Sequence, residues 1–362
     1  MANHSKMTPK FHSLKIKDVI RETDEAVSIS FEIPADLQND YQYKSGQYLT
    51  LRADINGEDI RRSYSLCSAP HEDEWRVAVK QVENGKFSTY ANNSIQAGME
   101  IQVMTPMGNF VVETAETNDK SYVLLAAGSG ITPIISIAKS VLRNEPNSDV
   151  TLFYGNKGAN TIIFKEELEA LKNEYMDRLR IIHLLSRESL GSDILKGRID
   201  KDKTTDLYNA FLKNLQIDAV YICGPEPMII GVKESMLDNG VASDKIHFEL
   251  FTSPTDPNEK VELPTNSPKV DSNVTIIVDG DEIDLPLTSN GMNILDAGQE
   301  AGADLPFACK GGVCCTCKAK IMEGSASMDV NYALEPDEVD AGYILTCQAH
   351  PTSDKLVISF DD

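Results

Sequence analysis

The stretch CKGGVCCTC, residues 309–317, contains four of the seven cysteines of the chain. One more cysteine, Cys347, follows thirty positions after Cys317. The spacing Cys-x4-Cys-x2-Cys with a distant fourth cysteine is typical of the four thiolates that hold a plant-type 2Fe–2S cluster. Zinc sites usually carry paired Cys/His knuckles, and no histidine lies in this loop. We therefore predict that the metal ligands are Cys309, Cys314, Cys317 and Cys347, with Cys315 as a buried or loop thiol.

The residues around the cysteine loop predict a small, separate domain. VTIIVDGDEIDLPL, residues 274–287, alternates as two strands joined at Asp279-Gly280, which is a strong hairpin signal. The stretch NILDAGQEAGA before the loop is helical in pattern, and CKAKIM at its end predicts a further strand. From Asp271 to Asp362 there are 4 Lys, no Arg and 17 Asp or Glu. We expect an α+β (β-grasp) ferredoxin domain over residues 271–362.

A proline-rich segment separates this domain from the rest of the chain. Residues 252–270 hold four prolines and no sustained periodicity, so residues 254–270 are predicted to be a linker. Before it, residues 11–112 contain six short alternating runs divided by turn signals, as expected of an antiparallel β-barrel within residues 1–115. The six runs are LKIKDVI, AVSISFEI, GQYLTLRA, IRRSYSLC, WRVAVKQV and EIQVM.

From Ser121 the pattern changes to apolar strands that alternate with helical stretches. This alternation is typical of a parallel α/β sheet covered on both faces, here predicted over residues 116–253. The five strands are SYVLLAA, VTLFYG, LRIIHLL, AVYICG and KIHFELF. The chain is thus expected to be multidomain: a barrel, a parallel-sheet domain and a β-grasp domain, in that order.

Composition excludes several classes of function. The 362 residues carry 34 Lys and Arg against 56 Asp and Glu, a formal charge of −22, which argues against nucleic acid as a partner. No apolar run approaches the length of a membrane span, and the first twelve residues lack the apolar core of a secretory signal. We expect a cytoplasmic protein whose cysteines serve metal or redox chemistry. Neither a Gly-x-Ser-x-Gly elbow nor a Walker-type loop is present.

Three segments of the predicted barrel resemble the flavin-binding motifs of the ferredoxin–NADP reductase family: Gly46-Gln47-Tyr48, Arg62-Ser63-Tyr64-Ser65 and Gly85-Lys86-Phe87-Ser88. The resemblance implies FAD as the cofactor, with FMN less favoured. It places Arg62 at the flavin pyrophosphate, Tyr64 against the isoalloxazine ring and Ser65 near flavin N5. Ser63 belongs to the same set. Gly85, Lys86, Phe87 and Ser88 would provide backbone amides and a hydroxyl at a helix start, which favours an anion.

The first strand of the parallel sheet runs into Gly128-Ser129-Gly130-Ile131-Thr132-Pro133, and a helix follows. A dinucleotide pyrophosphate would lie against this turn, so Gly128, Ser129, Gly130 and Thr132 are candidate ligands. The family resemblance brings Cys223, with the loop of Gly224 and Pro225, close to the nicotinamide. It also places Glu249 and Phe251 beside the flavin and the nicotinamide, although Phe251 could equally be an ordinary core residue. Ser65, Cys223 and Glu249 are the predicted catalytic residues.

Ser186 and Arg187 end the third strand of the sheet, where cofactor specificity is commonly set. A hydroxyl and a guanidinium at this point could receive a 2′-phosphate, which favours NADPH. The adjacent Glu188 is the acid that an NAD enzyme often presents, so NADH stays possible.

The domain order predicts electron transfer from NADPH to FAD, then to the cluster, then to a protein acceptor. CKGGVCCTCKAK, NYALEPDE, AGYILTCQA and FHSLKI resemble the reductase components that serve the epoxidation of phenylacetyl-CoA. The resemblance implies the di-iron oxygenase subunits of such systems as acceptor. The negative charge of residues 271–362 predicts a transient encounter steered by charge through acids such as Glu335, Asp337 and Glu338, whereas most of the other acids would only keep the surface solvated. The alternatives are a reductase of another ring-hydroxylating or hydroxylating oxygenase, a stand-alone reductase of a small acceptor, and a redox-sensing binding protein.

Overall fold

The structure, a computed structural model, describes residues 10–189, 191–251 and 269–361. The predicted linker, residues 254–270, lies outside the described residues except for Lys269 and Val270. The chain divides into two compact units, of which one is His12–Phe251 and the other holds the C-terminal sheet. None of the helices in these described ranges is long and apolar enough to cross a membrane.

The first half of the larger unit is an antiparallel barrel of six strands in the order β4-β3-β6-β1-β2-β5. Leu66, just after β4, pairs with Val77 of β5 in an isolated antiparallel bridge, and this bridge closes the sheet on itself. The helix α1 (Lys86–Asn93) buries Phe87 and Ala91 in the barrel core. The strands are β1 (Phe11–Thr23), β2 (Ala26–Glu32), β3 (Tyr48–Ile55), β4 (Glu58–Ser65), β5 (Trp75–Lys80) and β6 (Glu100–Met104).

The second half of this unit is a five-stranded parallel sheet in the order β11-β10-β7-β8-β9. Its strands are the predicted apolar runs. The three central strands β10, β7 and β8 are largely buried because helices cover the sheet, whereas the edge strands β9 and β11 are partly exposed. The elements are β7 (Ser121–Ala127), α2 (Ile131–Asn144), β8 (Asp149–Asn156), α3 (Lys165–Glu174), β9 (Leu179–Leu185), α4 (Lys201–Leu207), β10 (Ala219–Cys223), α5 (Glu226–Asp238) and β11 (Ile246–Glu249).

The barrel and the parallel sheet share buried apolar contacts. Phe110, which follows the barrel strands, packs edge-on against Tyr221 of β10 with ring centroids 5.5 Å apart. Cys67 and Ala78 of the barrel belong to the same buried cluster as α2 and β7. The two halves therefore meet through a continuous apolar core.

The C-terminal unit is a mixed sheet in the order β13-β12-β18-β14-β16, with β15 and β17 as a separate two-stranded sheet. Asp279 and Gly280 have φ of 51° and 80°, as a hairpin turn with two left-handed residues requires, and β12 pairs with β13 around them. β12 and β18 are parallel, which confirms the predicted β-grasp class. The elements are β12 (Asp271–Val278), β13 (Asp281–Thr288), α6 (Ile294–Glu300), β14 (Lys318–Glu323), β15 (Ala326–Met328), α7 (Pro336–Asp340), β16 (Tyr343–Leu345), β17 (Ala349–Pro351) and β18 (Lys355–Ser359).

Candidate functional site

Strand β4 presents the predicted flavin residues on its two faces. Successive side chains of a strand point to opposite faces, so Arg62 and Tyr64 share one face while Ser63 and Ser65 share the other. Arg62 is exposed, and its Nη1 donates to the Arg61 carbonyl oxygen at 2.7 Å. Tyr64 is half-buried against Phe87, with ring centroids 5.5 Å apart. The Ser63 hydroxyl instead bonds Thr50 Oγ1 of β3 at 3.1 Å. The face of Arg62 and Tyr64 therefore combines an exposed guanidinium with an aromatic ring.

The turn that starts α1 lies beside this face. Gly85 is its N-cap residue, and a Cβ there would overlap Ser88 Oγ and lie 2.5 Å from Val82 Cγ2, so any larger residue would displace these side chains. Ser88 Oγ accepts from the Val82 N–H at 3.2 Å and donates to the Gly85 carbonyl. The first amides of α1, starting at Lys86, have no acceptor within the helix. Because the Ser88 hydroxyl is already engaged in these two bonds, the backbone amides at the start of α1 are the better candidates to bind an anion.

The glycine turn after β7 is pressed against the loop after β10. A Cβ on Gly130 would overlap the Cys223 carbonyl oxygen, which only glycine avoids. The Tyr154 hydroxyl of β8 donates to the Gly128 carbonyl at 3.0 Å, and Thr132 Oγ1 donates to the Ser129 carbonyl at 3.0 Å. The turn leads directly into α2, where the Ile131 N–H is bonded to the Gly128 and Ser129 carbonyls and Pro133 has no N–H. The turn is thus fixed from two sides beside a helix start, as an anion site requires.

The three predicted catalytic residues meet where the barrel joins the parallel sheet. Ser65 Oγ donates to Glu249 Oε2 at 3.3 Å, and Cys223 pairs with Glu249 in the β10–β11 register. Burial raises the pKa of Glu249 to about 8, and the Ser65 hydrogen bond opposes that rise. Burial, and then the Glu249 charge, raise the pKa of the Cys223 thiol well above its ordinary value. At neutral pH this cluster therefore holds a protonated carboxyl group and a neutral thiol.

Other predicted residues lie beyond the ends of their strands. β11 ends at Glu249, opposite Cys223, the last residue of its partner β10. Phe251 therefore lies two residues past the strand, and it is 38% exposed. β9 ends at Leu185, and Ser186 and Arg187 continue along β8 only through backbone bonds to Asn156 and Lys157.

The loop after Cys223 adjoins the glycine turn. Gly224 packs against Met228, whose Sδ would lie 2.8 Å from a Cβ, and Pro225 is the N-cap residue of α5. This loop therefore faces the same sheet edge as Cys223. Glu188 reaches back across the edge of the sheet and accepts from the Ala159 N–H at 3.1 Å.

Sequence reasoning missed Lys80, the last residue of β5 in the barrel. Its Nζ lies 3.8 Å from the point that a Cβ of Gly128 would occupy, and the Glu25 carboxylate is 3.9 Å away. Burial lowers the pKa of Lys80, the Glu25 charge partly opposes this, and the positive charge of Lys157 adds to the lowering. A lysine at a strand end carries no signal in sequence, since only the fold brings it to a glycine turn 48 residues later. The Tyr154 hydroxyl likewise reaches the Gly128 carbonyl only through the fold, so its role has no local sequence signal.

The cysteine loop brings together the four thiols predicted as metal ligands. Cys314 Sγ lies 3.1 Å from Cys309 Sγ, and Cys347 interacts with both Cys309 and Cys317. Hydrogen bonds from Cys314 and Cys347 lower the pKa of Cys309, which favours a thiolate there. Cys315 is buried, and its nearby charge is the Lys318 ammonium. Four thiols converging from two segments are a donor set that fits a 2Fe–2S cluster.

Backbone and amide donors surround these thiols. The Gly311 N–H donates to Cys309 Sγ at 3.3 Å, and Gln348 Nε2 lies 3.7 Å from Cys347 Sγ while donating to the Cys347 and Lys310 carbonyls. The loop turns at Lys310 and Gly312, with φ of 51° and 73°. Lys310 Nζ is anchored to Asp296 and Gln299 of α6. The loop is therefore held in place by α6, and amide donors lie close to two of the sulfur atoms. Such donors would tune the reduction potential of iron bound by these thiolates.

Comparisons with protein families agree with this division of the chain. Residues 13–112 match the oxidoreductase FAD-binding domain, residues 124–234 the oxidoreductase NAD-binding domain, and residues 276–352 the 2Fe-2S iron-sulfur cluster binding domain. Together with the geometry above, these matches define the class of protein. It is an NAD(P)H-dependent oxidoreductase that uses FAD and a 2Fe–2S cluster.

Full-length relatives narrow the class to a family. The chain is 41% identical over 351 residues, 97% of this chain and 98% of the relative, to one of the subunits of the 1,2-phenylacetyl-CoA epoxidase of Escherichia coli (strain K12). It is 35% identical over 361 residues, 96% of each chain, to the ferredoxin reductase component of 3-ketosteroid-9-alpha-monooxygenase of Mycobacterium tuberculosis. The chain belongs to the ferredoxin–NADP reductase family, among the reductase components of oxygenase systems. Among solved structures, phthalate dioxygenase reductase shares the fold, with a TM-score of 0.58 at 23% identity over 96% of this chain and 98% of that one.

Proposed function

We propose that this protein is the reductase component that delivers electrons from NADPH to the di-iron oxygenase subunits of a phenylacetyl-CoA epoxidase. The observation that carries the hydride step is the meeting of Ser65, Cys223 and Glu249 between the barrel and the dinucleotide turn. The substrate pathway rests on the full-length similarity to the Escherichia coli epoxidase subunit. No residue of this chain needs to touch the CoA ester.

The barrel residues have separate roles in holding FAD. Arg62 and the amides of Lys86 and Phe87 would bind the flavin pyrophosphate, since a guanidinium fork and a helix start both favour phosphate. Tyr64 would cover the isoalloxazine ring, backed by Phe87. Ser63 would line the opposite face of β4 together with Thr50. FAD bound here supplies the exchange of one two-electron transfer for two single-electron transfers.

At the proposed reaction centre, three side chains of this chain set the polarity around the flavin and hold protons. Ser65 can turn its hydroxyl from Glu249 to flavin N5, because the two groups share one weak bond of 3.3 Å. Glu249 keeps a proton on its carboxyl group at neutral pH, so the site carries no fixed negative charge beside the electron-rich flavin. Cys223, neutral and buried, would pack against the nicotinamide. Phe251 is exposed at the same edge and could cover the ring from outside.

The dinucleotide would lie along the sheet edge, with its pyrophosphate on Gly128, Ser129, Gly130 and Thr132. Gly224 and Pro225 would border the nicotinamide side. Lys80 lies over the turn, Lys157 follows the end of β8, and Ser186 and Arg187 follow the end of β9. This supports NADPH, whose 2′-phosphate adds charge to be bound, in a chain of formal charge −22. Glu188, held by the Ala159 amide, is the feature that supports NADH instead.

We propose a transient, electrostatically steered encounter between the acidic C-terminal unit and the oxygenase. Glu335 and Asp337 are exposed near the cluster loop and can face a basic partner. Glu338 is a weaker candidate than its neighbours, because its carboxylate bonds Lys318 Nζ at 2.9 Å.

Two organisational proposals accompany this function. The domain boundaries are residues 1–115, 116–253 and 271–362, with 254–270 as linker, and they are supported by the three family matches inside them. The location is the cytoplasm, supported by the seven cysteines, none of which forms a disulfide bond.

The test is an anaerobic reductive titration with NADPH and, separately, NADH, followed by visible absorbance and electron paramagnetic resonance. We expect uptake of about three electrons per chain, two by the flavin and one by the cluster. Adding epoxidase oxygenase subunits and phenylacetyl-CoA should then couple NADPH oxidation to product formation. Coupling only with a steroid or other hydroxylase would favour the alternative that the 35% identical relative supports.

A further inference from the structure

A chain of alternating charges crosses the boundary between the barrel and the parallel-sheet half. Lys139 of α2 bonds Glu72 of the barrel at 3.0 Å and also pairs with Glu167 of α3. Arg76 of β5 donates from Nη2 to both oxygens of Glu167, at 2.9 and 3.0 Å. Each half contributes one acid and one base, so the series Glu72–Lys139–Glu167–Arg76, here the boundary relay, crosses the boundary twice.

The boundary relay is buried at its centre. Lys139 is 4% exposed, and Arg76 also stacks over the Phe164 ring at 5.6 Å. Although burial raises it, the pKa of Glu167 is held below its ordinary value by Lys139 and Arg76. Separating the partners of such a pair leaves an uncompensated buried charge, so the relay favours the relative placement of the two halves in which these bonds form.

Two further polar contacts place the same face of α2 on the barrel. Ser136 Oγ donates to the Ser68 carbonyl at 2.6 Å, and Ser140 Oγ bonds Ser45 Oγ at 2.6 Å. Ser136, Lys139 and Ser140 follow the i, i+3, i+4 spacing of one helix face. They are buried polar groups in a helix whose other buried residues are mostly apolar. An apolar helix face would hold the halves together equally well, so directional bonds at three points imply a need for exact placement.

The same helix begins at the dinucleotide turn. α2 starts at Ile131, directly after Gly130, and Ser136 lies only about 8 Å along the helix from that start at 1.5 Å per residue. A shift of α2 against the barrel would therefore move the turn against Ser65. Hydride transfer from nicotinamide C4 to flavin N5 moves one proton and two electrons between atoms that must be in contact. A displacement of 1 Å in such a step can lower its rate about 100-fold.

We propose that the boundary relay, together with Ser136 and Ser140, sets the distance between nicotinamide and flavin, and that Lys139 is a positioning residue for hydride transfer. This inference rests on the proposed function. These residues lie outside both cofactor sites. Changing them should therefore alter the rate constant of flavin reduction and not the binding of either cofactor.

The test compares Lys139→Met with Lys201→Met in the flavin-loaded holoenzyme. Lys201 is a control matched in its ion pairs and not in its burial. It also pairs with two carboxylates, Glu234 and Asp238 at 3.3 and 2.9 Å, but all three residues lie on α4 and α5 within one half, and the Lys201 side chain is 46% exposed. In stopped-flow experiments at saturating NADPH, the rate constant of flavin reduction should be about 10- to 100-fold lower in Lys139→Met than in the wild type. The dissociation constant for NADPH should change less than about threefold. Lys201→Met should match the wild type.

A second readout does not depend on turnover. Hydrogen–deuterium exchange of the resting holoenzyme should increase in Lys139→Met at the backbone amides of residues 67–72 and 136–140, and not in Lys201→Met. If Lys139→Met retains no flavin, Ser136→Ala replaces it, with an expected slowing of about threefold or more because only the bond to the Ser68 carbonyl is lost.

The outcomes separate the two levels of the proposal. A wild type that neither NADPH nor NADH reduces overturns the proposed function. A wild type that is reduced, with a variant rate constant within twofold of it despite a lower melting temperature, would show that the relay only stabilises the fold, and the positioning role would be wrong.

Discussion

Glu249 illustrates how burial sets the chemistry of a single residue. Its pKa of about 8 in the fold lies above the ordinary value of 4.5, so the folded chain keeps a proton that the unfolded chain releases between those values. The contribution of Glu249 to the unfolding free energy therefore decreases as pH rises from about 4.5 to 8. The same proton keeps the carboxyl group neutral beside Ser65 and Cys223.

We expect Glu249→Gln to remove this part of the pH dependence. Between pH 6 and 8.5 the melting temperature of the wild type should decrease more steeply than that of the variant, because glutamine has no proton to lose. Thermal unfolding of the holoenzyme, followed by circular dichroism at both pH values, measures the difference. Equal slopes would mean that Glu249 is ionised in the folded protein.

Lys80 is a residue whose role follows from one distance. Its ammonium lies over the Gly128 turn and has only a marginal carboxylate partner, Glu25 at 3.9 Å. Lys80→Met should raise KM for NADPH about tenfold, as expected for the loss of one bond to a charged group, with kcat nearly unchanged. Steady-state kinetics with NADPH and NADH measure this. A similar rise for both places Lys80 at the pyrophosphate, a rise for NADPH alone places it at the 2′-phosphate, and no rise for either contradicts the role.

At the scale of elements, long periodic segments were predictable and contacts between them were not. The six barrel strands, five parallel strands and the hairpin at Asp279-Gly280 were predicted because alternation and turn residues are local properties. The three-residue strands β15, β16 and β17 are too short to show a period. At the site, the spacing of Arg62 and Tyr64 on one strand was local, whereas Lys80 beside Gly128 depends on the packing of two separate sheets.

The cysteine loop allows a prediction at this same scale. Cys347 reaches the other thiols from a separate segment, after β16, so Cys347→Ser should abolish the cluster while the flavin stays bound. Cys315→Ser should keep it, since the four-thiol set is complete without Cys315. Iron content and the electron paramagnetic resonance signal of the reduced protein measure both variants. Cluster loss in Cys315→Ser with retention in Cys347→Ser would reverse the ligand assignment.

Across the whole molecule, charge and cofactors are distributed unequally. The segment from Asp271 to Asp362 has 17 acidic residues against 4 lysines, whereas the cations near the glycine turn lie in the other unit. The acidic C-terminal unit would suit the proposed encounter with a basic protein surface, and the cations near the glycine turn would suit a phosphate-bearing cofactor. Association through the acidic surface should accordingly weaken as salt rises.

This distribution leads to a test of partner docking. Asp337 is exposed on α7, which precedes β16 and the predicted cluster ligand Cys347. Asp354 is exposed beside the end of β18 that pairs with Asn273, and β14 pairs with the opposite end of β18 near Lys320. The two charge reversals Asp337→Lys and Asp354→Lys change net charge equally, so a difference between them reports position and not total charge. We expect Asp337→Lys to slow cluster-to-oxygenase electron transfer several-fold at low salt and to flatten its salt dependence, with Asp354→Lys closer to the wild type. Stopped-flow oxidation of the reduced holoenzyme by oxygenase subunits, at several ionic strengths, measures this. Equal slowing by both variants would indicate long-range attraction without a docking surface at α7.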